Sequence, residues 1–176
     1  LYQADEAPGT TYYVDAYDGK NGDDGKSWTT PFLTMAKAFT TIRSGDTIKF
    51  RGKILEQLTA PVQVFDITII GESNLPRHAD ATPADRLGFS HGASWQPPAA
   101  PTTAPLVKVL QQGWTFYNIL FDGPADHACV QLHSDAGAGN AERDASHAAF
   151  INCKFANGQD GIYCTGGQHH VLVKGC

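Results

Sequence analysis

Charge is scarce in this sequence. Asp, Glu, Lys and Arg make up only 18% of its 176 residues, and the balance is a formal −5. A nucleic-acid binder needs a basic stripe, so that class of partner is set aside. No apolar run approaches the roughly 18 residues that a helix needs to cross a bilayer. No signal peptide is recognisable and no Met opens the chain; a sequence starting at Leu1 is expected to be a processed product or a fragment. The cysteines are Cys129, Cys153, Cys164 and Cys176, with no Cys-x-x-Cys pair among them, which removes the usual zinc pattern. They read as small apolar residues stacked in a core, with a disulfide allowed but not required. Long helices are lacking too, because 18 Gly and 10 Pro scatter turns along the chain.

Repetition is what the sequence does have. Phe116-Tyr117-Asn118-Ile119-Leu120-Phe121 is answered by Phe150-Ile151-Asn152-Cys153-Lys154-Phe155, and His147–Cys153 is echoed by His170–Cys176. A short apolar strand and a polar corner, recurring every 20-odd residues, mark a solenoid, in which one unit cannot bury its inward face without a neighbour. The fold class expected is therefore all-β. Ile48, Phe50, Ile67, Ile69, Phe116 and Phe150 are expected to share one core. Asn118 and Asn152 hold equivalent turn positions with a structural role, and His147 and His170 are expected to stack.

In chain order, residues 1–11 form a polar arm and residues 12–176 the domain. Within the domain, 12–45 close one end and 46–176 hold the repeats. Tyr12-Tyr13-Val14 is β-prone. Asp15 to Lys26 is dense in Asp, Asn and Gly, which first of all makes turns. Asp15, Asp18, Asp23 and Asp24 are also calcium-type oxygen ligands, although the EF-hand's final Glu and flanking helices are missing. Pro31 to Arg43 predicts a helix capped by Thr30, with Leu33, Ala36 and Phe39 on its buried face. Two excursions interrupt the repeats, at 72–105 and 134–146; long loops of this kind are often functional. The first contains Trp95, Phe89 and His91, and Trp95 and Phe89 are candidate contacts for a glycan or a partner.

Tyr12-Tyr13-Val14-Asp15, Asn21-Gly22-Asp23-Asp24-Gly25, Ser27-Trp28, Pro31-Phe32-Leu33-Thr34, Ala36-Lys37-Ala38 and Ser44-Gly45-Asp46-Thr47-Ile48 follow one another in that order. The set resembles the N-terminal entry of right-handed parallel β-helix proteins of the pectate-lyase-like superfamily, over residues 12 to 74. The resemblance implies a right-handed, single-stranded parallel β-helix with an N-terminal capping helix. It also implies a range of activities: polysaccharide lyases, glycoside hydrolases, and bacteriophage tailspikes and other virion proteins.

Hydrolases of this fold work with two or three carboxylates on one face. The candidates are Asp122, Asp126 and Asp160, each beside a strand end, and Asn157 to Ile162 has a likeness to the Asp-bearing strand of polygalacturonase-like enzymes. The Arg-x-Pro-x-x-Arg pattern of pectate lyases does not occur, nor does His-Glu-x-x-His. The leading expectation is a structural virion protein of a bacteriophage, a spike, fibre or capsid-surface component that contacts host glycans and other virion proteins. It would need no cofactor apart from the calcium option. The sequence stops mid-repeat at Cys176, from which a longer native chain or a homo-oligomer is expected; a trimer follows from the resemblance alone. The alternatives are a secreted or cell-surface polysaccharide lyase or glycoside hydrolase, and a carbohydrate-binding β-helix without turnover.

Overall fold

The structure is a computed structural model that describes residues 9–72, 93–99, 104–134, 144–166 and 170–176. Among them are thirteen strands and one short helix, and every strand pairing between named strands is parallel. The fold is all-β with parallel sheets, as expected.

The strands fall into three ladders. The first holds β1 (Thr11–Asp15), the first half of β2 (Thr47–Leu55), β4 (Thr68–Gly71), β7 (Thr115–Tyr117), β10 (Ala149–Ile151) and β13 (Leu172–Lys174), paired in that order. The second holds β2 from Gly52 onward, β5 (Ala93–Gln96), β8 (Leu120–Asp122) and β11 (Lys154–Ala156). The third holds β3 (Leu58–Thr59), β6 (Val107–Val109), β9 (Val130–His133) and β12 (Ile162–Thr165). From β2 onward the chain visits the three ladders in strict rotation.

Strand alternation turns one side of each ladder inward. β2 alternates half-buried and buried residues down to Ile54, and β5 and β9 repeat the alternation. In register, Ile48, Ile69, Phe116 and Phe150 form one column. Ile54, Trp95, Phe121 and Phe155 form another. Phe116 and Phe150 stack at 5.1 Å and 5°, and Phe121 and Phe155 at 5.4 Å and 7°. Those separations are close to the spacing of neighbouring strands, about 4.8 Å, so the backbone register itself sets the stacking. Across the core the rings meet edge to face, Phe116 with Phe121 and Phe150 with Phe155. Ile48, Phe50, Ile67, Ile69, Phe116 and Phe150 all sit in this single core, fully buried.

The corners obey a backbone rule. Two residues before each first-ladder strand from β2 on stand Gly45, Asp66, Gly113, His147 and His170, all at positive φ. Glycine takes this conformation freely; Asp and His accept it at some cost. Asn118 and Asn152, after β7 and β10, are at φ +55 and +53. The role of these Asn residues is therefore conformational. His147 and His170 stack as expected, with ring centroids 4.9 Å apart.

Three expectations change. The helix is α1, Met35–Phe39, not Pro31 to Arg43. Phe32 is committed elsewhere, because its N–H donates to the Tyr13 carbonyl at 2.9 Å and its carbonyl accepts from Asp15 N–H at 2.9 Å. The helix can start only after Thr34, whose hydroxyl accepts the Lys37 N–H. Its buried face is Met35, Ala38 and Phe39, while Leu33 is exposed. The excursion at 72–105 is not one loop either, since β5 rejoins the second ladder inside it; residues 73–92 lie outside the described residues. Of the 1–11 arm, Thr11 already belongs to β1, and residues 1–8 lie outside the described residues. For the excursion at 134–146, residues 135–143 do as well.

Candidate functional site

On the outer side of the third ladder, Lys108, Gln131 and Tyr163 stand in register, each the outward neighbour of a core position. Around Gln131 and Tyr163 opens a groove of about 300 Å³, completed by His127, Gln159 and Asp160, with Pro105 and Ala128 at its margin. Backbone pairing fixes it. Gln159 N–H donates to the His127 carbonyl at 3.0 Å, Cys129 N–H to the Asp160 carbonyl at 2.8 Å, and Val130 N–H to the Gly161 carbonyl at 3.1 Å. The turn bearing Gln159 and Asp160 is thus held against the one bearing His127.

Beneath this face Cys129 is fully buried. Its thiol fills the space left by two glycines: a Cβ on Gly123 would lie 2.5 Å from Sγ and one on Gly158 2.8 Å. Burial pushes the Cys129 thiol up from its ordinary range, so it packs rather than reacts. Cys153 is buried as well, which agrees with a core role; Cys164 and Cys176 are exposed.

Of the three candidate aspartates, only Asp160 lines the groove. Asp122 lies on β8, where its Oδ1 accepts from Asn157 Nδ2 at 2.6 Å. Asp126 is exposed and is not a lining residue. The groove offers a carboxylate, an imidazole, a phenol and two amides. Such a set forms hydrogen bonds to hydroxyls, and the Tyr163 ring, 49% exposed, adds an apolar surface.

Trp95 is a correction. It lies in β5, wholly buried, between Phe50 and Phe121, and its Nε1 donates to the Glu56 carbonyl at 2.9 Å. A buried indole with a satisfied N–H is a core anchor and cannot stack on a sugar. Phe89 and His91 lie outside the described residues.

The aspartate-rich run is also put to local use. Asp15 is 1% exposed; its Oδ2 binds Arg51 Nε at 2.7 Å, and its Oδ1 accepts the N–H groups of Tyr17 and Asp18. Asp24 Oδ1 accepts from Thr30 Oγ1 at 2.6 Å and from Lys26 N–H at 3.0 Å, bonds that hold its carboxyl below the usual range. Asp23 donates its N–H to the Lys20 carbonyl. Asp15, Asp18, Asp23 and Asp24 do not converge as a ligand set, and no group of three or more His, Cys, Asp or Glu able to hold a metal occurs among the described residues. No helix among the described residues is long and apolar enough to cross a membrane.

Gln131, Gln159 and Tyr163 were not foreseen as site residues. Gln131 and Tyr163 carry one weak signal, their outward place in an alternating strand. No family model matches the sequence, and no curated protein matches it.

Proposed function

We propose that the chain is a right-handed, single-stranded parallel β-helix with an N-terminal capping helix. We propose that it serves as a structural virion protein of a bacteriophage, a spike, fibre or capsid-surface component, and that the third-ladder groove contacts surface polysaccharide. The strict rotation of strands through three ladders carries the architectural part, and parallel crossovers favour the right hand by a wide margin. A stack of rings in register makes a stiff shaft. A polar groove with an exposed tyrosine on its flank suits sugar hydroxyls and ring faces. The virion placement rests on the likeness of residues 12–74 to such proteins. So does the homotrimer we propose.

The test of the groove is retention on immobilised bacterial surface polysaccharides. Tyr163→Ala is expected to weaken binding by about tenfold; equal retention of both proteins, or none, removes the groove from the proposal. Light scattering tests the trimer, and a monomer at micromolar concentration ends it. Asp160 favours a second reading, that of a glycoside hydrolase, because it alone of the candidates reaches the groove. Reducing ends released by the native chain and abolished by Asp160→Asn would establish that reading in place of the first.

A further inference from the structure

Cys153 and Cys176 stand in the same column, one layer apart. β10 and β13 pair Ala149 with Leu172, Phe150 with Val173 and Ile151 with Lys174, so each cysteine lies two residues beyond its strand. The register survives the corner between. Asn152 N–H donates to the Lys174 carbonyl at 2.9 Å, and both Asn152 and Gly175 are at positive φ. A Cβ on Gly175 would lie 2.5 Å from Asn152 Oδ1, so the two corners sit directly on each other.

The thiols repeat one geometry. Cys153 Sγ donates to the Ile151 carbonyl at 3.6 Å and to the Phe116 carbonyl one layer away at 3.5 Å. Cys176 Sγ donates to the Lys174 carbonyl at 3.5 Å and to the Phe150 carbonyl at 3.4 Å. Parallel neighbours about 4.8 Å apart fall inside the Cα separations that a disulfide spans. The other two thiols lack this arrangement: Cys164 is in register with Leu132, and Cys129 fills the space beside Gly123 and Gly158.

We propose that Cys153 and Cys176 close to an intrachain disulfide when they meet a low-molecular-weight disulfide, RSSR, and so clip β13 to β10. Cys176 is exposed and Cys153 only 3% so, which makes Cys176 the point of entry. Its thiolate attacks one sulfur of RSSR, the reagent's S–S bond breaks, and one RSH leaves after protonation. Cys153 then gives its proton to solvent and attacks the Cys176 sulfur of the mixed disulfide, expelling the second RSH. Two protein thiols are oxidised and one RSSR is reduced to two RSH. Burial, with the neighbouring Cys176 adding to it, pushes the Cys153 thiol up to about 11. The second step is therefore slow near neutrality and quickens with pH.

The test treats the 176-residue chain with oxidised glutathione between pH 7 and 9, quenches with acid and maps the products by mass. A mixed adduct at Cys176 is expected first, then a Cys153–Cys176 link, with conversion quickening by about tenfold per pH unit. Cys153→Ser should keep the Cys176 adduct unresolved, and Cys176→Ser should leave Cys153 unmodified. Backbone amide exchange in β13 should slow on oxidation and recover with reductant. The proposal is overturned by an adduct that persists in the native chain at pH 9, by Cys176 linked to Cys164 or to another chain, or by unchanged exchange in β13. The native-chain series decides the matter even if a variant fails to fold.

Discussion

Ile48 and Val173 hold the same place in the core column of the first ladder, yet Ile48 is fully buried and Val173 is 52% exposed. Around Ile48 the stack is closed: β1 pairs along β2, and Phe39 of α1 sits edge-on to Trp95 and Trp114. Both indoles have their N–H satisfied, Trp95 by Glu56 and Trp114 by the Val64 carbonyl at 3.1 Å. Around Val173 only β10 lies alongside among the described residues. Burial in a parallel stack is thus set by neighbours on both sides, and an apolar residue in the right register is not enough to secure it.

The sharpest way to break the contrast is to empty the covered side. Phe39→Ala is expected to cost about 3–5 kcal/mol in urea unfolding, because a buried ring is lost from between two tryptophans. Val173→Ala should stay within roughly 0.5 kcal/mol of the native chain, as exposed positions do. Equal losses at the two sites would erase the distinction.

The charged pairs sort the same way. Arg51→Met strands the buried Asp15 carboxylate and removes the guanidinium lying 4.5 Å from the Trp28 ring. It should cost about 3 kcal/mol, softened by the two N–H groups that Asp15 keeps. Lys49 and Glu72 are paired at 3.5 Å with side chains about a third exposed, and Lys49→Ala should cost less than about 1 kcal/mol.

High pH probes the β13 side. The Cys153 thiol is raised from 9.0 to about 11 in the folded chain. Between those values the folded state holds the proton more tightly than the unfolded chain does. Stability is therefore complete below about pH 9 and falls as pH rises toward 11, by at most about 3 kcal/mol. Under reducing conditions Cys153→Ala should flatten this part of the profile, which unfolding at a series of pH values would reveal.

A modest effect is expected at Glu56. Its carboxylate accepts the Met35 and Ala36 N–H groups at 2.8 and 2.9 Å and so caps α1 from outside the helix. Glu56→Ala should cost about 1 kcal/mol, read as a lower melting temperature.

The core columns were legible because Ile48, Phe50, Ile67 and Ile69 alternate, and because Phe116 and Phe150 recur in matching hexapeptides. Trp95 was not, since β5 is four residues long and lies inside a stretch rich in Pro and Ala that carries no period. Pro31 looks like the first residue of a helix, but the pairing of Phe32 with β1 is a tertiary fact that local propensity cannot show. The Glu56 cap joins groups about 20 residues apart in sequence. The groove draws on three separate stretches, near residues 105, 130 and 160. Only Asp160 stood out among them, because a carboxylate beside a turn is conspicuous and a glutamine on a strand is not.

The rotation of strands also bears on how freely the chain can vary in length. First-ladder partners are separated by 21 residues (48 to 69), 47 (69 to 116), 34 (116 to 150) and 23 (150 to 173). The entropy lost in closing a loop grows only with the logarithm of its length, so closing the longest of these costs about 0.7 kcal/mol more than closing the shortest. One buried phenylalanine, worth roughly 1.5–3 kcal/mol, more than offsets that difference. A segment tens of residues long can therefore be inserted at a corner while the ladders on either side keep their register.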